Sequence, residues 1–252
     1  MRSREDVRLV IELASRGLAV DAVARLSGVP PTTVRRWLTR GPPSRAAPER
    51  PSCVRCGHAA HEPAELDGPS YAYLLGLYLG DGHIAAFPRC HRLAVYLDAR
   101  YPGIIGGCVA AVAGVVPTSR VSLTAKRGCV AVQSYSRQWP CLLPQHGPGP
   151  KHLRPVRLER WQRTITAAHP RELVRGLLHS DGSRFINPVV AKGRAYAYPR
   201  YMFANESADI RQIFCDHLDL LDIAWRPAGR RNISIARREA VAALDAFVGP
   251  KR

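Results

Sequence analysis

The chain has 252 residues, enough for two compact units plus a small module, and 46% of them are hydrophobic, so a real core can form. Thirty-seven Lys and Arg against 20 Asp and Glu leave a formal charge of +17, which points to a polyanionic partner, most simply nucleic acid. No apolar run reaches the length that spans a bilayer, the charged first residues lack a signal-peptide apolar stretch, and an odd count of seven cysteines argues for reduced thiols in a cytoplasmic, nucleoid-associated setting.

Taken in chain order, the first unit is helical. Val7, Val10, Ile11 and Leu13 recur at helical spacing over 6–14, and Gly17 ends that helix. Asp21 is placed to cap a second helix over 22–27, and a third runs from Pro31 or Thr32 to Thr39. Between them Gly28-Val29-Pro30 supplies a tight turn, while Val29, Val34 and Trp37 seal a small core. The pattern looks like a helix-turn-helix, so Thr32, Thr33, Arg35 and Arg36 are expected to face a DNA major groove. A small protein-binding bundle is the competing reading.

Residues 42–69 read as a linker, with Pro42, Pro43 and Pro48 favouring an extended spacer. Within it Cys53-Val54-Arg55-Cys56 is half of a zinc site. Cys53 and Cys56 are therefore candidate Zn²⁺ ligands, completed by His58 and His61 or by a more distant pair; an inert thiol pair is the alternative.

Two later segments read almost alike: Leu74-Leu75-Gly76-Leu77-Tyr78-Leu79-Gly80-Asp81-Gly82 and Val174-Arg175-Gly176-Leu177-Leu178-His179-Ser180-Asp181-Gly182. Each is an apolar helical stretch with a small residue midway and an Asp-Gly at its end, and the two acids lie 100 residues apart. Gly76 and Gly80 share one helix face, as do Gly176 and Ser180, so two backbones can approach closely. Gly82 and Gly182 then sit where a C′ glycine would end each helix. Two acids brought together would repel and raise a pKa unless a cation neutralised them, and hard divalent ions such as Mg²⁺ suit oxygen ligands of this kind.

These segments resemble the LAGLIDADG motif of homing endonucleases in the helical Gly, the terminal Asp-Gly and the doubling. Leu79 and His179 stand where the name motif has its earlier Asp, a position that is not catalytic in the family, and Val174-Arg175 replaces Leu-Ala. The resemblance implies an α/β (α+β) fold: a pseudo-symmetric pair of αββαββα subdomains, expected at 70–150 and 151–252, behind the all-α helix-turn-helix module at 1–41. Two antiparallel sheets would form a saddle for duplex DNA. The last Asp of each motif binds catalytic Mg²⁺ in the family, which implies that role for Asp81 and Asp181, with the carbonyls of Gly80 and Ser180 as further oxygen ligands. The family also places basic or amide residues around the site with weak constraint; Lys126, Gln133, Arg230 and Arg231 are candidates.

Read beside that resemblance, the remaining chain supplies the αββαββα order twice. Strands are expected over 83–87 and 92–97, a helix over 102–115, a hairpin of 120–126 and 129–134 about Arg127-Gly128, and a short helix over 136–143. Residues 144–151 break regular structure, and a helix over 158–168 precedes the second motif. Cys108, Cys129, Cys141, His146 and His152 are candidates for a second metal cluster, with buried small hydrophobes as the competing reading of the cysteines. In the second half, strands over 184–190 and 198–205 flank a basic loop holding Lys192 and Arg194. Ser207 caps a helix to 221, a hairpin of 224–227 and 232–236 turns about Gly229-Arg230-Arg231, and a helix over 238–247 closes the order.

The function implied by the resemblance is sequence-specific hydrolysis of double-stranded DNA, one phosphodiester on each strand, by a monomer with internal pseudo-two-fold symmetry. Alternate strand residues would enter the major groove, with His83, Arg89, Arg92, Lys126, Arg184, Lys192, Arg194, Arg200 and Arg231 as expected contacts. The competing readings are a non-cleaving helix-turn-helix transcription regulator with a LAGLIDADG-like domain, and an RNA-binding maturase. Intein splicing is not expected, since neither Cys nor Ser opens the chain and Pro250-Lys251-Arg252 lacks His-Asn.

Overall fold

The computed structural model describes residues 4–41, 53, 56, 65–191, 193–249 and 251. They divide into two units, 1–50 and 51–252.

The first unit packs three helices: α1 (Arg4–Ser15), α2 (Val20–Ser27) and α3 (Pro31–Arg40). Val10, Val23, Ala24, Val29, Val34 and Trp37 form its core. Gly28 ends α2 at φ +66 with open space where a Cβ would stand, so backbone freedom is the reason for glycine there. Asp21 is not the cap of α2. The helix begins two residues earlier, at Val20 with Ala19 as N-cap, and Asp21 lies in the first turn, where its charge suits the helix N-terminus. Thr32, Arg35 and Arg36 are exposed on α3, and Thr33 is half-buried.

The second unit contains the repeated order. Its first half runs α4 (Gly68–Asp81), β1 (Gly82–Phe87), β2 (Cys90–Asp98), α5 (Pro102–Val115), β3 (Val121–Lys126), β4 (Cys129–Ser136) and α6 (Trp139–Leu142). A connecting helix, α7 (Arg160–Ala168), follows. The second half runs α8 (Pro170–Asp181), β5 (Gly182–Ala191), β6 (Arg194–Ala204), α9 (Ala208–Leu220), β7 (Arg226–Pro227), β8 (Asn232–Ile235) and α10 (Arg238–Asp245). Each half builds an antiparallel sheet, in the orders β1-β2-β4-β3 and β5-β6-β8-β7.

Register decides which strand residues face the helices. Ile84, Leu93, Ser134 and Val121 stand across from one another, as do Gly82, Val95, Val132 and Leu123. This is the face that buries Leu93, Val95 and Val132. In the second sheet Tyr201 pairs with Ile235 and Phe203 with Ile233, and all four are buried. The helices cover these faces, and one continuous apolar core joins both halves.

The α4 helix is buried at every residue from Tyr71 to Leu79, which explains why it reads as apolar all round rather than as a stripe. Asp67 caps it, accepting from Ser70 N at 3.2 Å and Ser70 Oγ at 2.8 Å. A buried polar relay fixes its base. Tyr71 Oη donates to Leu142 O at 2.6 Å and accepts from Gln162 Nε2 of α7 at 2.6 Å, while Gln162 Oε1 accepts from Gln145 Nε2 at 2.6 Å.

Several expectations need correction. Gly82 and Gly182 are not left-handed caps: they are extended, at φ −88 and −94. Glycine is required there for space, because a Cβ would lie 2.5 Å from Tyr78 Cα at position 82 and 2.5 Å from Leu178 O at position 182. Arg194 is not in a loop. It starts β6 and pairs with Ala191, so the connection is two residues long. Lys192 lies outside the described residues, as do His58 and His61. The short helix expected over 136–143 contracts to α6, since β4 continues to Ser136.

Candidate active site

The site is built on the contact between α4 and α8. A Cβ on Gly76 would lie 2.6 Å from Leu173 O and 2.8 Å from Leu177 N. One on Gly176 would stand 3.0 Å from Gly76 Cα and overlap the Tyr73 carbonyl. The two helices therefore meet backbone to backbone, at a separation only side-chain-free positions permit. Gly80 repeats this one turn on, where a Cβ would be 2.5 Å from Ser180 Cβ and 3.0 Å from Asp181 Oδ2. Asp81 and Asp181, the last residues of the two helices, are thereby brought into one site.

Both acids lie in a partly dry environment, and Asp81 feels the charge of Asp181. Burial raises Asp81 to about 6, and the Asp181 carboxyl adds to the rise while Lys151 and Lys251 oppose it. Burial also raises Asp181, against the hydrogen bond from Asn205 and the two lysines. Asn205 Nδ2 donates to Asp181 Oδ2 at 2.6 Å, and Asn205 Oδ1 accepts from Ser207 N at 2.8 Å, so the amide is oriented from both ends.

Lys151 Nζ donates to the carbonyls of Tyr78 at 2.5 Å and Gly80 at 3.0 Å and lies 4.9 Å from the Tyr78 ring centre. Lys251 Nζ donates to the Ser180 carbonyl at 3.3 Å. Burial pulls Lys151 down to about 8 against the attraction of Asp181 and Asp81, and it lowers Lys251 as well. The two carboxyls and the carbonyls of Gly80 and Ser180 are oxygen donors of the type a hard divalent cation takes, and an ammonium group stands on each of those carbonyls. A cleft of about 430 Å³ opens beside Gly80 and Asp181, lined also by His83, His152 and Arg154.

The second clamp involves His179. Val248 O can only accept, so Nε2 carries the proton at 3.0 Å, and Nδ1 accepts from Tyr73 Oη at 2.8 Å. Burial lowers His179 to about 4, keeping the ring neutral.

The faces of the sheets turned away from the helices carry much of the expected contact set. His83 shares that face with Gln133, and Arg92 shares it with Tyr135. The Arg92 guanidinium lies 5.6 Å from the Phe87 ring centre, and Lys126 Nζ lies 4.8 Å from that of Tyr96. In the second half, Arg194 and Arg200 flank Tyr196 and Tyr198 on one strand face, and the two rings stack at 5.8 Å. Arg89 is in the turn between β1 and β2, and Arg230 and Arg231 are in the turn before β8, with Arg231 ion-paired to Glu206.

Arg184 departs from the expectation. Its register puts it on the side of Tyr201 and Ile235, where Nε and Nη2 donate to Asp245 of α10 at 2.7 and 2.8 Å. Strand alternation fixes this once the pairing with β6 is set, since Arg184 is two residues from Gly182, which faces inward beside Phe203.

The sequence reading missed Lys151, Lys251 and Asn205. Lys151 follows Pro150 in a segment read as a break, Asn205 was the end of an expected strand, and Lys251 stands among terminal residues considered only for splicing. Isolated residues in irregular segments carry no periodicity, so no local signal marks them.

No protein-family model and no curated protein matches the sequence. Solved structures do match. I-DmoI, in complex with DNA and Mn, is 13% identical, with 73% of this chain and 98% of that chain covered at a TM-score of 0.50. The LAGLIDADG meganuclease I-AabMI, bound to uncleaved DNA, matches at 10% identity, 70% and 82% coverage and a TM-score of 0.44. A mutant of I-SmaMI matches at 8% identity, 70% and 84% coverage and a TM-score of 0.46. With the paired motif helices and the two four-stranded sheets already in place, the I-DmoI match shows that the chain has the fold of the LAGLIDADG homing endonucleases.

Proposed function

We propose that the chain is a Mg²⁺-dependent, sequence-specific DNA endonuclease of the homing type, hydrolysing one phosphodiester on each strand. The observation that carries this reading is the meeting of Asp81 and Asp181 at the ends of two helices packed without intervening side chains. Nothing in the core requires two partly buried acids at that point, and burial raises both of them. Such destabilising pairs are kept for chemistry.

Asp81 and Asp181, with the carbonyls of Gly80 and Ser180, would hold the divalent cations. A bound divalent cation activates water and offsets charge on the leaving oxygen. Asn205 fixes the Asp181 carboxylate in one rotamer. Lys151 and Lys251, which donate to the carbonyls of Gly80 and Ser180, would neutralise the scissile phosphates. Arg92, Lys126, Arg194 and Arg200 on the open faces would track the duplex, and phosphate contacts make affinity steeply salt-dependent.

The working division is a DNA-binding module at 1–41 acting through Thr32, Thr33, Arg35 and Arg36, a linker at 42–69, and subdomains at 70–150 and 151–252 that together act as a monomer on nucleoid DNA. The deciding experiment is cleavage of a randomised duplex library with Mg²⁺, run beside the Asp81→Asn, Asp181→Asn double variant. Enriched cut ends with the wild type alone are expected. Equal duplex retention by both proteins without cutting would replace the nuclease by a non-cleaving regulator.

A further inference from the structure

Away from the acidic pair, three cysteines distant in sequence converge. Cys53 and Cys56 precede α4, and Cys141 lies in α6; their sulfurs all fall within 4.8 Å of one another. Cys56 is buried and the other two are half-buried. Cys53 Sγ and Cys141 Sγ are 3.7 Å apart. An S–S bond is about 2.05 Å, so this is not a disulfide, and the described cysteines form none. The spacing matches the edge of a zinc–thiolate tetrahedron, in which Zn–S bonds of about 2.3 Å set sulfurs about 3.8 Å apart.

Chemistry agrees with geometry. Burial pushes the Cys141 thiol up to about 12, and Cys53 and Cys56 push it the same way. A cation bound among the three sulfurs would favour their thiolate forms. Among the described residues this is the one group of three or more His, Cys, Asp or Glu side chains whose ligand atoms converge within 4.8 Å.

We propose that Cys53, Cys56 and Cys141 bind one structural Zn²⁺ as thiolates, leaving the fourth vertex to a donor that is not cysteine. Binding releases the three thiol protons, and no oxidant or reductant is involved. The ion joins the segment ahead of α4 to α6, whose last residue, Leu142, accepts through its carbonyl the Tyr71 hydroxyl that anchors α4. It thus fixes the base of the first motif helix from a second side. The assignment stands apart from the nuclease reading.

The test is metal content of the full chain, purified under reducing conditions and dialysed against a weak chelator. About one zinc per chain is expected, and Cys53→Ser, Cys56→Ser and Cys141→Ser should each lower retention about tenfold or more, whereas Cys129→Ser should not. Cobalt substitution of the wild type needs no variant. It should give the visible bands of a tetrahedral ion and a near-ultraviolet sulfur charge-transfer band sized for three Co–S bonds. Zinc-free wild type without those cobalt bands, or full zinc retention by Cys141→Ser, would overturn the proposal. Neither readout depends on DNA cleavage.

Discussion

Lys151 holds the Gly80 carbonyl at 3.0 Å, so a residue of the connector between the halves rests on the last turn of the first motif helix. Its ammonium is half out of water and lowered to about 8, close enough to neutrality to release or accept a proton near working pH. Lys151→Met should lower kcat by about 10²-fold while leaving KM for duplex DNA within about threefold. Single-turnover cleavage beside equilibrium binding separates the two. An unchanged kcat would remove Lys151 from the site.

The two acids should divide their labour by strand. Asp81→Asn and Asp181→Asn are each expected to stop cleavage of one strand and leave the other to be nicked, and the double variant should bind duplex without cutting. Strand-specific end labels read this directly. Full double-strand cleavage by the double variant would sink the assignment.

Asp81 also makes stability depend on pH. Its folded value of about 6 exceeds its ordinary 3.8, so between those limits the native chain holds the proton more tightly than the unfolded one. Stability is fully present below the lower value, falls as pH rises to the upper one, and stays reduced above it. With partial exposure allowed for, the loss is about 1–2 kcal/mol. Metal-free Asp81→Asn should therefore melt about 2–6 °C above wild type at pH 8 and level with it near pH 4. A constant gap across that range would assign the effect to packing.

Helix glycines should separate by what surrounds them. Gly176→Ala drives a methyl into the Tyr73 carbonyl and against Gly76 Cα, both of them backbone, and should cost about 3 kcal/mol or prevent folding. Gly106 in α5 has open space around it, so Gly106→Ala should be neutral or stabilise by up to about 1 kcal/mol. Urea midpoints at constant slope report both. Equal effects would mean that the α4–α8 contact relaxes.

Repetition made much of the fold legible. Small residues four apart, followed by Asp-Gly, locate both motif helices and their contact, and α5 matches its expected bounds at Pro102–Val115. Hidden from the sequence were the features that depend on long-range register or on irregular segments. Arg184 is turned inward by its alternation from Gly182, which becomes visible once pairing with β6 is known. Lys151 reaches α4 from a Pro- and Gly-rich break, and Cys141 meets a Cys-x-x-Cys pair 85 residues upstream. A local motif names half of such a cluster; the chain's path supplies the rest.

His179 stands where the name motif has an acid, yet its neutral ring buckles Tyr73 of the first motif helix to Val248 behind the closing helix. Three residues past that buckle, Lys251 reaches the Ser180 carbonyl. Val248 and Lys251 are thus held by the second motif helix itself: its ring and its Ser180 carbonyl set them beside the acid that ends it. The histidine makes the end of the second subdomain a structural member of the charge balance at the centre of the molecule.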